Sequence, residues 1–371
     1  MHILWLTENY FPQKGGMAES CDRIVYGLRK IPSITLDLLY LNKKTTVPQV
    51  KQVVGGQHLE VPIADDVAHS IQMAFLWIVQ QANGKKYDKI VAFGGYLPLL
   101  AAPVLAAKWN IPYIVALRGN DWDTALLDNK RLPVLDRAIR TAQTISVVTK
   151  SKANEIQYLY PRQKVIVTPN SIDTAEWKAL PTDQEKALQL RQTTPDNRIH
   201  LGFLGYLKEK KGLHFFVENL VKMQLQDQFY LWIVGEISET TEHYLQRHQL
   251  PYTHAHSLDK WATIPYYLVA DFVVIPSFYD GFPNTLLEAA ALQKNLLLAN
   301  VDGMADFIEK CPQCPSFAPA DPLSLQKNLL ALLRSTPAEK QAQAQEIYQT
   351  TRTHFSPKQE IKQWLKVVGE G

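Results

Sequence analysis

The chain has 371 residues, 46% of them hydrophobic, and a formal charge of +3. This length allows two domains with cores, and a mild charge without a long Lys/Arg block argues against nucleic acid as the main partner. The sequence has no run of about 20 apolar residues that could span a bilayer. Its first residues lack the basic lead and apolar core of a signal peptide. We therefore expect a cytoplasmic protein, and the mild basicity is compatible with contact at the inner face of a membrane.

Short apolar runs alternate with amphipathic stretches in both halves of the chain, which predicts βα units and parallel sheets. The polar segment 174–197 is expected to link the halves. After a break at Pro357, a helical spacing of apolar residues predicts an amphipathic helix over 357–368. The expected strands are 3–6, 35–41, 89–93, 112–116, 144–148 and 164–168 in the first half, and 200–204, 229–234, 272–276 and 295–299 in the second.

These elements predict an α/β protein with two doubly wound, Rossmann-like domains that face each other across a cleft. We place the first domain at 1–175, the second at 176–355, and a terminal helix at 356–371. Three cysteines are too few for a disulfide framework and indicate a reducing compartment. Cys311 and Cys314 have the spacing of half a zinc site, but no further ligands lie near them in sequence. We expect a surface loop with two thiols.

The most informative segment is 276–288, Pro-Ser-Phe-Tyr-Asp-Gly-Phe-Pro-Asn-Thr-Leu-Leu-Glu, between a predicted strand and a predicted helix. Gly281 allows close backbone approach to a ligand, and a helix starting at Asn284 would direct N–H groups towards an anion or a sugar. Carboxylates at Asp280 and Glu288 can accept hydrogen bonds from sugar hydroxyls. Taken singly, each carboxylate also fits a solvated turn or a first helical turn.

Two glycine-containing loops follow other predicted strands. Gly15 and Gly16 precede a predicted helix, but the Gly-x-Gly-x-x-Gly pattern of dinucleotide sites is absent, so nothing supports NAD. The loop from Gly205 to Gly212 contains Lys211, whose ammonium could neutralise a diphosphate. A tight turn and a solvated lysine-rich loop are the alternative interpretations.

Taken in order along the chain, these segments resemble the motifs of family 4 glycosyltransferases with the GT-B fold. The resemblance extends to Arg118-Gly119-Asn120-Asp121, similar to a His-Gly-x-Asp segment, to Pro169-Asn170-Ser171-Ile172-Asp173, and to the turn 301–304. It implies that the terminal helix crosses back onto the first domain. The donor-binding residues that it implies are Gly15, Gly16, Asn170, Gly205, Tyr206, Gly281, Phe282, Pro283, Asn284 and Glu288.

The resemblance implies catalytic roles for Arg118, Asp121, Lys211 and Asp280. The chain departs from the family where Asp280 replaces the usual Glu. Arg118 replaces His, which excludes a neutral imidazole there and leaves binding of phosphate or of the transferred sugar. Tyr206 stands where Arg is common, so one of the usual two cations is missing, and whether Lys210 or Lys208 replaces it stays open. Asp121-Trp122-Asp123 also matches the Asp-x-Asp metal motif of the other large glycosyltransferase fold, but such a short pattern is weak.

The implied activity is metal-independent transfer of a sugar from a nucleoside diphosphate sugar to an acceptor hydroxyl, with retention of the anomeric configuration. No cofactor is expected, and the implied partners are the donor and a glycan or lipid-linked acceptor in bacterial surface glycan or glycolipid assembly. Two alternatives stay open, an epimerase on the same scaffold and a non-catalytic nucleotide-sugar-binding protein.

Overall fold

The computed structural model describes residues 1–13, 15–82, 86–119, 121–194 and 197–369. Lys14 and Asn120, which fall within predicted loops, lie outside the described residues. The chain divides into two compact units: unit 1 contains Met1–Asn170 and Pro357–Gly371, and unit 2 contains Ser171–Ser356. The assignment of an acceptor side and a donor side to them stays a prediction.

Both units alternate strands with helices. The strands are β1 His2–Thr7, β2 Thr35–Asn42, β3 Gln49–Val53, β4 Gly56–Pro62, β5 Lys89–Phe93, β6 Tyr113–Leu117, β7 Thr144–Val147, β8 Val165–Val167, β9 Ile199–Leu204, β10 Phe229–Val234, β11 Tyr252–Ala255, β12 Phe272–Ile275, β13 Asn295–Ala299 and β14 Ser316–Phe317. The helices are α1 Gly16–Arg29, α2 Val67–Ala82, α3 Tyr96–Trp109, α4 Asp121–Leu126, α5 Leu132–Thr141, α6 Lys150–Leu159, α7 Pro181–Gln192, α8 Leu213–Lys222, α9 Glu239–Arg247, α10 Ile264–Val269, α11 Asn284–Ala291, α12 Asp302–Lys310, α13 Pro322–Arg334, α14 Pro337–His354 and α15 Pro357–Val368.

The sheet of unit 1 has the strand order β3-β4-β2-β1-β5-β6-β7-β8. All neighbouring strands are parallel except β3 and β4, which form an antiparallel hairpin. From β1 the chain passes to β2, continues to the edge strand β3, turns back through β4, which pairs with β2, and then crosses to β5 on the other side of β1. The carboxyl ends of β1 and β5 therefore form a topological switch point, the place where open α/β sheets bind ligands.

Alternating apolar side chains of this sheet form two cores. Leu4 and Leu6 face one core with α2, α3 and α5, while Ile3 and Trp5 face the other with α1 and α15. The α15 helix has the predicted bounds, and the Trp364 ring lies 5.0 Å from that of Trp5, centroid to centroid. This packing confirms that the terminal helix returns to the first domain.

Unit 2 contains an all-parallel sheet with the order β11-β10-β9-β12-β13-β14. The chain leaves β9 towards β10 and β11 and returns to β12 on the other side, so β9 and β12 form a second switch point. The ten predicted strands are all present within one or two residues. The strands β3, β4, β11 and β14 were not predicted.

The prediction that 174–197 links the two domains is wrong, because this segment contains α7, which packs on α10 inside unit 2. Pro181 occupies the first turn of this helix, where proline is favoured since its missing N–H needs no partner. Ala187 is buried in a cluster with Trp232. A proline in a polar segment therefore marked a helix start.

The predicted surface loop at Cys311 and Cys314 is also wrong, since the two residues are 0% and 3% exposed. Burial raises the pKa of both thiols. Across the part of the chain that the structure describes, no three His, Cys, Asp or Glu side chains are grouped as metal ligands. None of the described helices combines the length and hydrophobicity needed to cross a bilayer.

Candidate active site

The loops after β9 and β12 contact each other at the switch point of unit 2. The Phe278 N–H donates to the Lys210 carbonyl at 2.9 Å. Gly212 has φ +72°, and a Cβ there would lie 2.0 Å from the Pro276 carbonyl oxygen. Only glycine fits this conformation and this contact, which explains the glycine after the lysine pair. The structure thus brings together the two loops predicted to hold the donor.

Two ammonium groups converge on one carboxylate in these loops. The Lys211 Nζ donates a short hydrogen bond to Asp280 Oδ2, and the Lys210 Nζ lies 3.8 Å from Asp280 Oδ1. All three side chains are largely buried, with 24%, 14% and 12% exposed for Lys211, Lys210 and Asp280. These three groups carry a net charge of +1, and the carboxylate of Asp302 lies beside the same loop.

Contacts with the start of α12 hold Asp280 in place. Its N–H donates to Asp302 Oδ2 at 3.1 Å, and the Gly303 N–H donates to the Gly281 carbonyl at 3.1 Å. A Cβ at Gly303 would lie 2.4 Å from that same carbonyl oxygen. The turn 301–304 therefore packs directly on the loop that carries Asp280.

The α11 helix begins at Asn284, as predicted, and carries Glu288 in its second turn. Tyr267 OH donates to Glu288 Oε2 at 2.6 Å, and Lys260 Nζ lies 3.9 Å from Oε1. The Glu288 carbonyl accepts from Trp177 Nε1 at 3.0 Å. These contacts orient a carboxylate whose side chain is 14% exposed. Sequence reasoning missed Tyr267, Lys260 and Trp177, since each is far from Glu288 in sequence.

The remaining predicted residues of unit 2 differ in placement. Gly205 has φ +112° and lies close to Thr285 of α11. Tyr206 is 62% exposed, with Lys208 Nζ 4.7 Å from its ring centroid. Phe282 is 3% exposed and its ring lies 4.9 Å from that of Phe355, so it packs in the core. Pro283, also buried, precedes α11 as its N-cap residue.

In unit 1, exposed Gly15 and Gly16 lie at the start of α1, the helix that follows β1. Glu8, at the same edge, accepts from the backbone N–H groups of Tyr96 and Leu97 at 2.9 and 3.0 Å. A Cβ on Gly95 would lie 2.2 Å from Glu8 Oε1. The sequence did not single out Glu8 at this switch point, although Gly94 and Gly95 after β5 indicate that the backbone is closely approached there.

Arg118 points into the interior of unit 1. Its Nη1 donates to the Thr168 carbonyl at 2.7 Å, its Nη2 to Asn170 Oδ1 at 2.7 Å and to Ser20 Oγ at 3.0 Å, and the guanidinium also pairs with Glu360. The side chain is 0% exposed. A substrate contact by Arg118 or Asn170 stays a prediction that this geometry does not favour, because both groups bind protein atoms.

Asp121 lies at the first position of α4, four residues after the end of β6. Its two carboxylate oxygens accept from the Gly119 N–H at 2.7 Å and the Arg118 N–H at 3.1 Å. Desolvation raises the pKa of this carboxyl above its usual value. A Cβ on Gly94 would lie 3.6 Å from Asp121 Oδ2, so the group borders the switch point of unit 1.

The fold is that of GT-B proteins. Sucrose-phosphate synthase from Thermosynechococcus elongatus superposes with a TM-score of 0.82 at 15% identity, over 99% of this chain and 98% of that one. Anabaena HepE, solved in complex with UDP and glucose, superposes with a TM-score of 0.76 at 16% identity over the whole of both chains.

Residues 198–335, which contain the lysine pair, Asp280 and Glu288, match the family model of glycosyl transferases group 1. The chain is 25% identical over 151 residues to alpha-galactosylglucosyldiacylglycerol synthase of Streptococcus pneumoniae, covering 38% of this chain and 39% of the relative. It is 24% identical over 275 residues to glycogen synthase of Mycobacterium tuberculosis, covering 69% and 63%. The chain matches this family over residues 198–335. It spans about 40–60% of the length of these two curated relatives.

Proposed function

We propose that this chain transfers a sugar from a nucleoside diphosphate sugar to an acceptor hydroxyl and retains the anomeric configuration. The observation that carries the proposal is the convergence of Lys210 and Lys211 on Asp280 at the β9/β12 switch point. A departing nucleoside diphosphate develops negative charge as the glycosidic bond breaks. Two ammonium groups at that edge would stabilise it without a metal ion.

Lys210 supplies the second cation in this scheme. Position 206, where the family commonly has Arg, is an exposed tyrosine, whereas Lys210 lies beside Lys211 at the same carboxylate. Once the diphosphate binds, its oxygens compete with Asp280 for both ammonium groups. Asp280 then turns towards the transferred sugar, and its carboxylate accepts hydrogen bonds from the sugar hydroxyls.

Glu288 holds the ribose of the donor in this proposal. Tyr267 fixes one carboxylate oxygen and Lys260 lies near the other. A carboxylate with a fixed orientation accepts two hydrogen bonds from vicinal hydroxyls at a lower entropic cost than a mobile one.

The acceptor hydroxyl attacks the sugar from the side of the departing diphosphate, which preserves the configuration, and its proton passes to a phosphate oxygen.

We further propose that the acceptor is a glycan or lipid-linked sugar of surface glycan or glycolipid assembly. Two curated relatives carry such names, the S. pneumoniae synthase above and the putative teichuronic acid biosynthesis glycosyltransferase TuaC of Bacillus subtilis. UDP-glucose is the first donor to test, because HepE was crystallised with it.

The test is thermal unfolding of the protein with UDP, GDP, ADP and their sugars, repeated with Glu288→Ala. A ligand at 100 times its dissociation constant stabilises the folded state by about 2.7 kcal/mol, which raises the midpoint by a few degrees. We expect one nucleotide to raise the midpoint for the wild type and not for the variant. No shift with any nucleotide would refute donor binding.

Product analysis then separates the activities. Transfer yields a glycoside and a nucleoside diphosphate, and NMR of the anomeric proton reports whether the configuration is retained. An altered donor sugar without a glycoside would indicate an epimerase. Donor binding without turnover across a panel of glycan and lipid-linked acceptors would indicate a binding protein.

A further inference from the structure

Asp302 has a backbone conformation that aspartate seldom adopts. Its φ is +42°, in the left-handed region that favours glycine. Among the residues that the structure describes, those other than glycine with a positive φ are Asn110, Gln224, Gln249, Gln293, Asp302 and Ala320. The first four lie within two residues of the ends of α3, α8, α9 and α11, and a left-handed residue commonly ends a helix. Asp302 instead opens α12, so helix termination does not explain its conformation.

The turn that contains Asp302 contacts the loop of Asp280 at two successive positions. Asp302 Oδ2 accepts from the Asp280 N–H at 3.1 Å. The next residue, Gly303, donates its N–H to the Gly281 carbonyl at 3.1 Å. Two consecutive residues of the turn thus bind two consecutive residues of the loop and fix its backbone. Strained residues persist where their surroundings hold them, and they cluster at functional sites.

The side chain at position 302 supplies what glycine could not. Glycine would adopt this φ without strain, but it has no acceptor for the Asp280 N–H. An acidic residue at the start of a helix also interacts favourably with the helix dipole. That interaction requires neither a left-handed conformation nor the hydrogen bond to Asp280. The need for a side-chain oxygen at this point of the turn therefore explains why a strained aspartate stands there.

We propose that Asp302 is a positioning residue that keeps the Asp280 carboxylate within reach of the transferred sugar. This inference rests on the proposed function. In the structure the Asp280 carboxylate binds Lys211, lies near Lys210 and accepts from the Gly281 N–H at 3.0 Å. A diphosphate that takes up the two lysines leaves this carboxylate to change partner. The bond from the Asp280 N–H to Asp302 involves neither lysine, so it keeps the backbone of Asp280 in place while the side chain turns to the sugar.

The experiment compares, by calorimetric titration, the binding of a nucleoside diphosphate with that of its sugar conjugate. The probes are the nucleotide among UDP, GDP and ADP that raises the wild-type unfolding midpoint, and its sugar. Because Asp280 contacts only the sugar in this scheme, Asp302→Gly should leave the affinity for the diphosphate unchanged. It should weaken binding of the nucleotide sugar roughly tenfold, the low end of what a hydrogen bond to a charged group contributes.

Two further variants serve as controls. Asp302→Asn keeps a side-chain oxygen that can accept from the Asp280 N–H, and asparagine tolerates a left-handed φ, so it should bind the nucleotide sugar as the wild type does. Ala320 has a φ of +54° and is exposed in the loop before α13. Ala320→Gly therefore removes the same kind of strain away from the site and should change neither affinity. Unfolding midpoints check that each variant folds.

A double-mutant cycle tests whether Asp302 acts through Asp280. In an Asp280→Ala background, Asp302→Gly should not weaken binding of the nucleotide sugar further. The inference is overturned by further weakening in that background, by wild-type binding of the nucleotide sugar to Asp302→Gly, or by equal weakening of the diphosphate and its sugar conjugate. A wild-type chain that binds none of the nucleotides would instead refute the proposed function, and this inference with it.

Discussion

The guanidinium of Arg118 and the carboxylate of Glu360 form an ion pair inside unit 1, with Nη2 3.3 Å from Oε1 and side chains 0% and 1% exposed. Arg23 of α1 binds the same carboxylate, with Nε 2.7 Å from Oε2. Burial lowers the pKa of Arg118 to about 10, which leaves it charged at neutral pH. Glu360 of the terminal helix thus supplies a carboxylate that offsets the positive charge of Arg118 and Arg23 in the interior of unit 1.

Glu360→Ala should strongly destabilise unit 1, because it removes the carboxylate that binds the buried Arg118 and Arg23. Removing one partner of a buried ion pair costs about 3–5 kcal/mol. Urea unfolding followed by tryptophan fluorescence should report the loss, since Trp5 and Trp364 lie in the core beside α15.

Arg140→Ala is the control, because its pair with Asp136 is largely exposed. We expect this variant to unfold close to the wild-type midpoint. Similar midpoints for Glu360→Ala and Arg140→Ala would show that the interior pair contributes nothing to stability.

Lys211→Ala should lower kcat by roughly 10²–10³-fold, the usual effect of removing one preorganised charge or hydrogen-bond donor at a developing anion. The fold should persist, because Lys211 ends a short 3-10 turn outside the core and Lys210 stays near Asp280. Steady-state kinetics and the unfolding midpoint check both statements. Lys222→Ala, at an exposed lysine of α8, controls for loss of a charge. Wild-type kcat in folded Lys211→Ala would exclude Lys211 from catalysis.

Continuous apolar runs made most of the fold predictable, and the strands β5, β10 and β13 have the predicted bounds. The hairpin strand β3 escaped prediction because it is almost wholly exposed and carries no alternating apolar pattern. The two residues of β14 are too few for any pattern.

The site was predictable in its residue types but not in its contacts. Local sequence marked Lys211, Asp280 and Glu288 at strand ends, where parallel sheets gather functional groups. It could not show that Arg118 turns inwards, since the partner Glu360 lies 242 positions along the chain. The hydrogen bond from Tyr267 to Glu288 likewise depends on how α10 meets α11.

Gly303→Ala should impair donor binding and stability together. The added Cβ would lie 2.4 Å from the Gly281 carbonyl oxygen and 2.8 Å from Phe282 Cα, and backbone cannot yield as a flexible side chain would. Overpacking of this kind costs about 1–3 kcal/mol. The backbone that the new Cβ displaces belongs to the loop that carries Asp280, so nucleotide titration should show weaker binding. Gly119→Ala is the comparison, because a Cβ there meets nothing closer than 3.5 Å. Wild-type affinity and midpoint in Gly303→Ala would contradict this tight packing.

Lys294→Met should make the protein more stable at pH 7. The ammonium of Lys294, before β13, donates to the Leu268 carbonyl at 3.0 Å, and burial lowers its pKa to about 8. An unfolded lysine has a pKa of about 10.4, so between these values the unfolded chain binds more protons than the folded one. The folded state is therefore penalised below pH 8, and wild-type stability gains from this group as the pH rises.

Methionine keeps most of the aliphatic stem of Lys294 and removes the charge. We expect a gain of about 1–3 kcal/mol at pH 7, from 1.36 kcal/mol per unit of pKa shift with an allowance for the lost hydrogen bond. The gain should shrink from pH 8 to about pH 10 in denaturant titrations across that range. Lys327→Met, at an exposed lysine of α13, controls for the loss of one ammonium group. If the stability of Lys294→Met runs parallel to that of the wild type across this pH range, the Lys294 ammonium is as well solvated in the folded state as in the unfolded one.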